Sequence, residues 1–87
     1  MKLPAQQRDG TIVVSVSGRI DHATSEEFST ALAPLLDACQ QGTPALLLDF
    51  SGVEYISSAG LRVLMMASRQ AKAQKGSFGI ASLTPLV

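Results

Sequence analysis

The sequence predicts a small α/β domain with a mixed β-sheet, and three observations support this fold class. A segment of alternating apolar residues is followed by an amphipathic helical pattern and then by a continuous apolar run of strand length. A strand, a helix and a second strand in this order form a right-handed parallel crossover. The chain has 87 residues, of which 46% are apolar and 16% charged, which suffices for one core with a helix layer or two packed against a sheet.

The predicted sheet begins with a hairpin. Residues 11–17 alternate, with isoleucine and valine side chains on one face, as a half-buried strand requires. The dipeptide Asp9-Gly10 favours a hairpin turn just before this strand. Residues 2–8 are therefore predicted to form a weaker partner strand, and Pro4 keeps that strand at the edge of the sheet.

A helix is predicted to start at residues 24–27 (TSEE). This segment matches a capping box, in which the Thr24 hydroxyl binds a free N–H group and Glu27 reaches back. Apolar residues recur at helical spacing along one stripe: Phe28, Leu32, Leu35, Leu36 and Cys39. We expect Gly42 to end the helix and Pro34, which lies inside it, to bend or break it.

The second half of the chain predicts a strand, a helix and a further strand. Residues 45–48 form an apolar run typical of a strand that is buried on both faces and ends at Asp49. After a loop, a helix is predicted over residues 57–74, and residues 77–81 supply another strand that makes the sheet mixed. Thr84-Pro85 predicts the start of one more helix.

Two serine hydroxyl groups, those of Ser57 and Ser58, lie at the predicted start of the second helix. Free N–H groups and the positive end of the helix dipole would stabilise a phosphate on either serine. Serine is also a preferred N-cap, so from spacing alone the simpler interpretation is a structural cap.

The second helix also predicts a surface suited to a partner. At 3.6 residues per turn, a core face is expected to contain Leu61, Leu64, Met65, Ser68 and Ala71. Arg62, Met66, Arg69 and Ala73 then lie together on the opposite face. An exposed methionine between two arginines is typical of interfaces, whereas a solvated face with one exposed methionine is the ordinary alternative.

Composition restricts the classes of function. The seven Lys and Arg balance the seven Asp and Glu and are spread along the chain, which argues against direct binding to nucleic acid or to a membrane surface. No apolar run approaches the ~20 residues needed to span a bilayer, and no signal peptide is apparent, so we expect a cytoplasmic location without membrane insertion. The single Cys39 excludes an internal disulfide and a multi-cysteine metal site, and we expect no cofactor.

Three segments resemble successive signatures of the STAS family, the sulfate-transporter and anti-sigma-factor-antagonist domains. They are residues 18–21 (GRID), 47–53 (LLDFSGV) and 56–61 (ISSAGL). The resemblance covers residues 3–87 and implies a mixed sheet flanked by helices, as a single domain over residues 1–87. It also implies a further strand and a C-terminal helix, which we expect this chain to lack because of truncation at its C-terminus.

The resemblance further implies the function of an anti-sigma factor antagonist. Stand-alone bacterial members of the STAS family are partner-switching proteins that bind an anti-sigma factor, which is also a serine kinase. They release this partner when they are phosphorylated at this helix start. A serine phosphatase is a further implied partner. In the common pattern Asp-Ser-Ser/Thr-Gly-Leu the phosphoacceptor precedes the glycine, a position held here by Ala59. The nearest matching hydroxyl is that of Ser58, with Ser57 less favoured, and Asp21 matches an acidic loop residue near the phosphoacceptor.

Three other interpretations remain at this stage. Ser58 at a strand-to-helix turn is similar to a hydrolase nucleophile elbow, but that motif needs glycine where Ile56 stands, so we expect no enzyme. A phosphocarrier of the sugar-transport type would use His22, although only two positions of its motif Gly-x-His-Ala-Arg-Pro agree. A STAS subunit of a lipid-transport or other multiprotein complex, without sigma-factor control, also fits the sequence.

Overall fold

The structure is a computed structural model that describes residues 3–81. Its elements follow in the order β1 (Ala5–Arg8), β2 (Thr11–Ile20), α1 (Ser25–Asp37), β3 (Ala45–Ile56), α2 (Ser58–Ala73) and β4 (Phe78–Ala81). The strands lie side by side in chain order, with β1 antiparallel to β2 and the other two pairs parallel. The predicted mixed sheet is therefore confirmed. Thr84-Pro85 lies outside the described residues.

The hairpin forms where the sequence predicts it. Asp9 and Gly10 both have positive φ angles, 48° and 77°, as the tight turn between two twisted strands requires. Every residue of β1 is exposed, which agrees with its predicted place at the edge of the sheet.

Strand β3 is longer than predicted and is not buried on both faces. It continues past Asp49 to Ile56, through the segment that the sequence suggested as a loop. Two register shifts against β2 change the burial pattern there, so that Phe50, Val53 and Ile56 reach the core at intervals of three residues. Leu47 is only half-buried, because the side chains that contact the helices come from the other face of the strand.

Helix α1 follows its predicted apolar stripe but ends earlier than expected. It runs through Pro34 without a break and ends at Asp37, so Gly42 lies in the following turn and does not end the helix. The carbonyl groups near the end of α1 are bound by a residue of α2's C-terminus: Gln74 Nε2 donates to Leu36 O at 2.9 Å and to Cys39 O at 2.7 Å.

One apolar core lies between the helices and a single face of the sheet. The rings of Phe28 and Phe50 meet edge to face at its centre, with centroids 6.3 Å apart. The remaining fully buried large side chains come from β2, α1 and β3: Val14, Val16, Ile20, Leu32, Leu46 and Leu48.

The face of α2 that contacts the core is rotated from the one that periodicity predicts: Leu64 and Ala71 are buried as predicted, but the other three predicted core residues are not. Its buried residues are Gly60, Leu64, Ala67 and Ala71. The predicted core residues Leu61, Met65 and Ser68 are exposed. A Cβ atom at Gly60 would lie 2.7 Å from Ile56 Cγ1 and 2.8 Å from Ile20 Cγ2. Small residues thus allow α2 to approach the sheet closely, and Leu61, Met65 and Met66 remain exposed.

Candidate functional site: the start of helix α2

The carboxyl ends of β2 and β3 bring two separate loops together. The N–H group of Ser57 donates a hydrogen bond of 2.8 Å to the carbonyl oxygen of Ile20. Ile20 is also the register partner of Ile56 in the sheet. Asp21 directly follows Ile20 in the chain, and Ser58 directly follows Ser57. One backbone hydrogen bond therefore joins the segment that leads into Asp21 to the segment that leads into Ser58.

Ser57 is the N-cap of α2. Its backbone is extended, with φ −82° and ψ 171°, and its Oγ accepts a hydrogen bond of 3.2 Å from the N–H group of Gly60. The carbonyl of Ser57 accepts the first hydrogen bond of the helix, from Leu61 N at 2.9 Å. The half-buried hydroxyl of Ser57 is therefore already used in holding the helix start.

Ser58 differs from Ser57 in both exposure and bonding. It is the exposed first residue of α2, and its hydroxyl forms no hydrogen bond with any residue between 3 and 81. The first turn of α2 contains no acidic side chain that would compete for the free N–H groups. A group added to the Ser58 oxygen would thus break no hydrogen bond to the described part of the chain and would lie at the positive end of the helix.

Asp21 is fixed by reciprocal hydrogen bonds with Thr24. Asp21 Oδ1 accepts from Thr24 N at 2.9 Å, and Thr24 Oγ1 accepts from Asp21 N at 2.9 Å. The Thr24 hydroxyl lies within donating distance of two acceptors, the Arg19 carbonyl oxygen at 3.0 Å and Asp21 Oδ1 at 3.1 Å. The capping box predicted at residues 24–27 is therefore wrong, because Thr24 has helical backbone angles and its side chain bonds upstream.

The same contacts stabilise the ionised form of Asp21. The hydrogen bond from the Thr24 backbone, followed by the one from its side chain, lowers the pKa of Asp21 below its ordinary value. The nearby Arg19 guanidinium lowers this pKa further. Asp21 is an ionised carboxylate at neutral pH, and its hydrogen bonds with Thr24 hold it in the loop between β2 and α1.

The exposed side of α2 forms an apolar groove that begins at Ser58. Its lining consists of Ser58, Leu61, Arg62, Met65, Met66 and Arg69. Exposure of Arg62, Met66 and Arg69 agrees with the prediction. Periodicity alone predicts a core position for Leu61 and Met65, but they are 42% and 58% exposed. The glycine and alanines of α2 are the sequence signal for the inner side of this helix, and that signal predicts that Leu61 and Met65 lie on the outer side.

Charge is distributed less evenly than the total suggests, which corrects the view that the cations are spread along the chain. Residues 55–87 contain four Lys and Arg and no Asp or Glu, a net charge of +4. Residues 1–54 contain three Lys and Arg and seven Asp and Glu, a net charge of −4. Helix α2 is consequently basic, whereas α1 carries only acidic charges.

A mixed sheet with two helices on one face, and a serine-bearing helix start at the end of a parallel strand, define a domain of the STAS type. The chain belongs to the STAS domain family, since residues 4–87 match the family model described as "Mlab, STAS domain". Within residues 3–81, no helix is long and apolar enough to cross a membrane.

The chain is also similar to curated relatives over most or all of its length. It is 32% identical over all 87 residues to the protein of Bordetella bronchiseptica named "Putative anti-sigma factor antagonist BtrV", and covers 72% of that protein. It is 30% identical over 74 residues, 85% of this chain, to the anti-sigma-F factor antagonist RsfB of Mycobacterium tuberculosis. It spans 57% of the length of RsfB.

A solved structure shows the same arrangement. The crystal structure of an anti-sigma factor antagonist from Mycobacterium paratuberculosis superposes with a TM-score of 0.81 at 31% identity, over 99% of this chain and 70% of that one. Together with the two relatives, it supports the function class that the sequence resemblance implied.

Proposed function

We propose that this protein is an anti-sigma factor antagonist that binds an anti-sigma factor with serine-kinase activity and releases it when Ser58 is phosphorylated. The contrast between the two serines carries the choice of Ser58. The Ser57 hydroxyl caps α2, whereas the Ser58 hydroxyl is exposed and has no partner among the described residues. Such regulation acts where transcription occurs, so a cytoplasmic location is part of the proposal, as is the absence of enzymatic activity.

The partner contacts the edge of the domain at which β2 and β3 end, formed by Asp21, Ser57 and Ser58. The contact continues along α2 over Arg62, Met66 and Arg69. The hydrogen bond from Ser57 N to Ile20 O supports a shared surface for the first three residues, because it joins the two chain segments that contain them. The exposed groove extends this edge along the helix without a gap, because Ser58 lines it as well.

A phosphate on Ser58 would change this surface in two ways. It carries about −1.5 to −2 charges and would lie near the Asp21 carboxylate, so the edge would repel acidic groups of a docked partner. Arg62 lies one helical turn from Ser58, the spacing at which opposite charges pair on a helix. The phosphate would therefore also occupy a guanidinium that is otherwise available to the partner.

Phosphorylation by the cognate kinase tests the site. The protein, Ser58→Ala and Ser57→Ala are incubated with the anti-sigma kinase and ATP and examined by mass spectrometry. We expect one phosphate on the wild-type protein and on Ser57→Ala, at Ser58, and none on Ser58→Ala. Modification of Ser57 alone, or none with a kinase shown to bind, would contradict the assignment. A phosphate lost in mild acid would instead indicate the exposed His22.

Ala59 favours a second candidate function. It lies directly before Gly60, where the family pattern has its phosphoacceptor. The protein would then act as a permanently bound STAS subunit of a complex without sigma-factor control. Purification of the tagged protein from its native cells separates the two candidates. A co-purified serine kinase of the anti-sigma type supports the antagonist, whereas a transporter or other complex, with Ser58 unmodified, supports the subunit.

A further inference from the structure

The exposed side of α2 carries more apolar surface than solvent contact explains. Leu61, Met65 and Met66 are 42%, 58% and 63% exposed, and they are three of the four large apolar side chains that are exposed in residues 3–81. Single exposed apolar residues are ordinary, but a contiguous group on one face is typical of a binding surface. We call the five residues Leu61, Arg62, Met65, Met66 and Arg69 the α2 face.

The charges around these apolar side chains have one sign. Arg62 and Arg69 lie toward the two ends of the α2 face, and α2 contains no Asp or Glu. Neither arginine forms a hydrogen bond or an ion pair with a residue between 3 and 81. Both guanidinium groups thus keep all their N–H donors for a ligand, and their planar shape suits carboxylates.

We propose that the α2 face docks an acidic amphipathic helix, whose apolar side chains pack on Leu61, Met65 and Met66 and whose carboxylates bind Arg62 and Arg69. This inference rests on the proposed function in that the helix belongs to the anti-sigma factor, and it adds the chemistry that this partner must present. Within the α2 face, residues one turn apart form two rows that extend over roughly 12 Å of the helix axis. About two to three turns of a second helix can cover this length.

The apolar component distinguishes this occupant from nucleic acid. A phosphate backbone would use the arginines but would leave Leu61, Met65 and Met66 in contact with water. Flexible methionine side chains adapt to the surface of a partner helix, as at other helix-binding surfaces. Since Ser58 lines the same groove, a phosphate there would repel the carboxylates of the docked helix.

Charge reversal with a matched control tests the proposal against the anti-sigma kinase. The double variant Arg62→Glu/Arg69→Glu is compared by calorimetry with Lys72→Glu, which reverses a charge on the same helix outside the groove. We expect the double variant to bind about tenfold or more weakly, and the wild-type affinity to fall with salt. Lys72→Glu should stay within about twofold of wild type. Equal binding by both variants would overturn the inference and leave the proposed function intact.

A second experiment keeps the inference testable if the wild-type protein binds no such kinase, a result that would contradict only the proposed function. Two helical peptides of about three turns are added to labelled protein, one with leucine and glutamate on its face and one with leucine and lysine. We expect the glutamate peptide alone to shift the amide resonances of α2, and Met65→Ser to weaken that response. No response, or equal responses to both peptides, would overturn the proposal.

Other occupants give distinct results. A second copy of this chain could offer the acidic α1, and sedimentation would then show a dimer that Arg62→Glu/Arg69→Glu dissociates. An anionic membrane would give co-sedimentation with vesicles of phosphatidylglycerol. Either result, in the absence of binding to the glutamate peptide, would replace the proposed acidic helix as the occupant.

Discussion

Helices α1 and α2 lie on the same face of the sheet but bury opposite kinds of side chain. Helix α1 buries Phe28, Leu32 and Leu36, whereas the buried residues of α2 are Leu64 and three of the smallest types. The outer side of α2 carries three large apolar residues, Leu61, Met65 and Met66, whereas Leu64 is the one large side chain among the buried residues of this helix. In α1, the spacing of the large apolar residues identifies the side of the helix that faces the core. In α2 it does not, because close approach to the sheet requires small residues on the inner side. The exposed large residues of α2 then become available for a partner.

The largest effect on stability should separate the two sides of α2. Leu64 is 5% exposed within the core, so Leu64→Asp buries an unpaired charge and should cost more than about 4 kcal/mol, enough to unfold the domain. Its neighbour Met65 and the next residue, Met66, are exposed, so Met65→Asp and Met66→Asp should stay within about 0.5 kcal/mol of wild type. Urea denaturation followed by circular dichroism measures both. Similar losses at positions 64 and 65 would mean that α2 faces the core as periodicity predicts.

Gly60→Ala should have the next largest effect, because it tests the close approach of α2 to the sheet. The added methyl would overlap the side chains of Ile20 and Ile56, and overpacking of this kind costs about 1–3 kcal/mol. The gain in helix propensity from glycine to alanine is at most about 1 kcal/mol. We therefore expect a net loss of stability in thermal denaturation. A net gain would show that the small residues on the inner side are not needed for packing.

Most of the fold could be predicted because its signals are local. The turn at Asp9-Gly10, the alternation of β2 and the apolar stripe of α1 each depend on residues close in sequence, and each is confirmed. The extension of β3 could not be predicted, since its register shifts depend on pairing with β2, about 35 residues earlier. The side on which α2 is buried could not be predicted either, because large apolar residues dominate a periodicity argument and small ones are easily overlooked.

The candidate site was predicted in place but not in detail. Spacing locates both serines at a helix start, yet it cannot show which oxygen faces the N–H group of Gly60. Thr24 likewise fits a capping box by sequence, and only the three-dimensional loop shows that it pairs with Asp21. Hydrogen-bond geometry, which the chain acquires on folding, decides among residues that have the same chemistry.

Replacing each serine by alanine should sharpen the contrast between the two serines at the start of α2. The loss of stability in either variant should be equal to or smaller than the loss in Gly60→Ala. Ser57→Ala removes the cap and should cost about 0.5–2 kcal/mol. Ser58→Ala removes an exposed hydroxyl without a partner in the described residues and should change stability by less than about 0.5 kcal/mol. Chemical denaturation of the two variants side by side gives the comparison. A larger cost at position 58 would identify Ser58 as the cap and weaken its assignment as the phosphoacceptor.

Ser58→Asp should stabilise the protein slightly while impairing its function. A negative charge at the first position of α2 interacts favourably with the helix dipole, by about 0.3–1 kcal/mol. The same charge should weaken binding of the anti-sigma kinase, so stability and affinity should change in opposite directions. Calorimetry and denaturation on one preparation test both. If this variant and the phosphorylated protein bind as tightly as wild type, charge at position 58 is not a switch.

Asp21→Asn should have the smallest effect, and pH should reveal it. Hydrogen bonds from Thr24 lower the pKa of Asp21 in the folded protein, so the ionised carboxylate contributes stability that is fully present above its unfolded pKa of about 3.9. That contribution is lost as the pH falls through the lower, folded pKa. The asparagine side chain of the variant can still accept a hydrogen bond but does not titrate, so the stability difference between the two proteins should be constant near neutral pH and shrink below pH of about 4. A difference that does not vary between neutral and acid pH would mean that the loop before α1 is held by the shape of the Asp21 side chain. Its charge would then matter only to a partner or to a phosphate on Ser58.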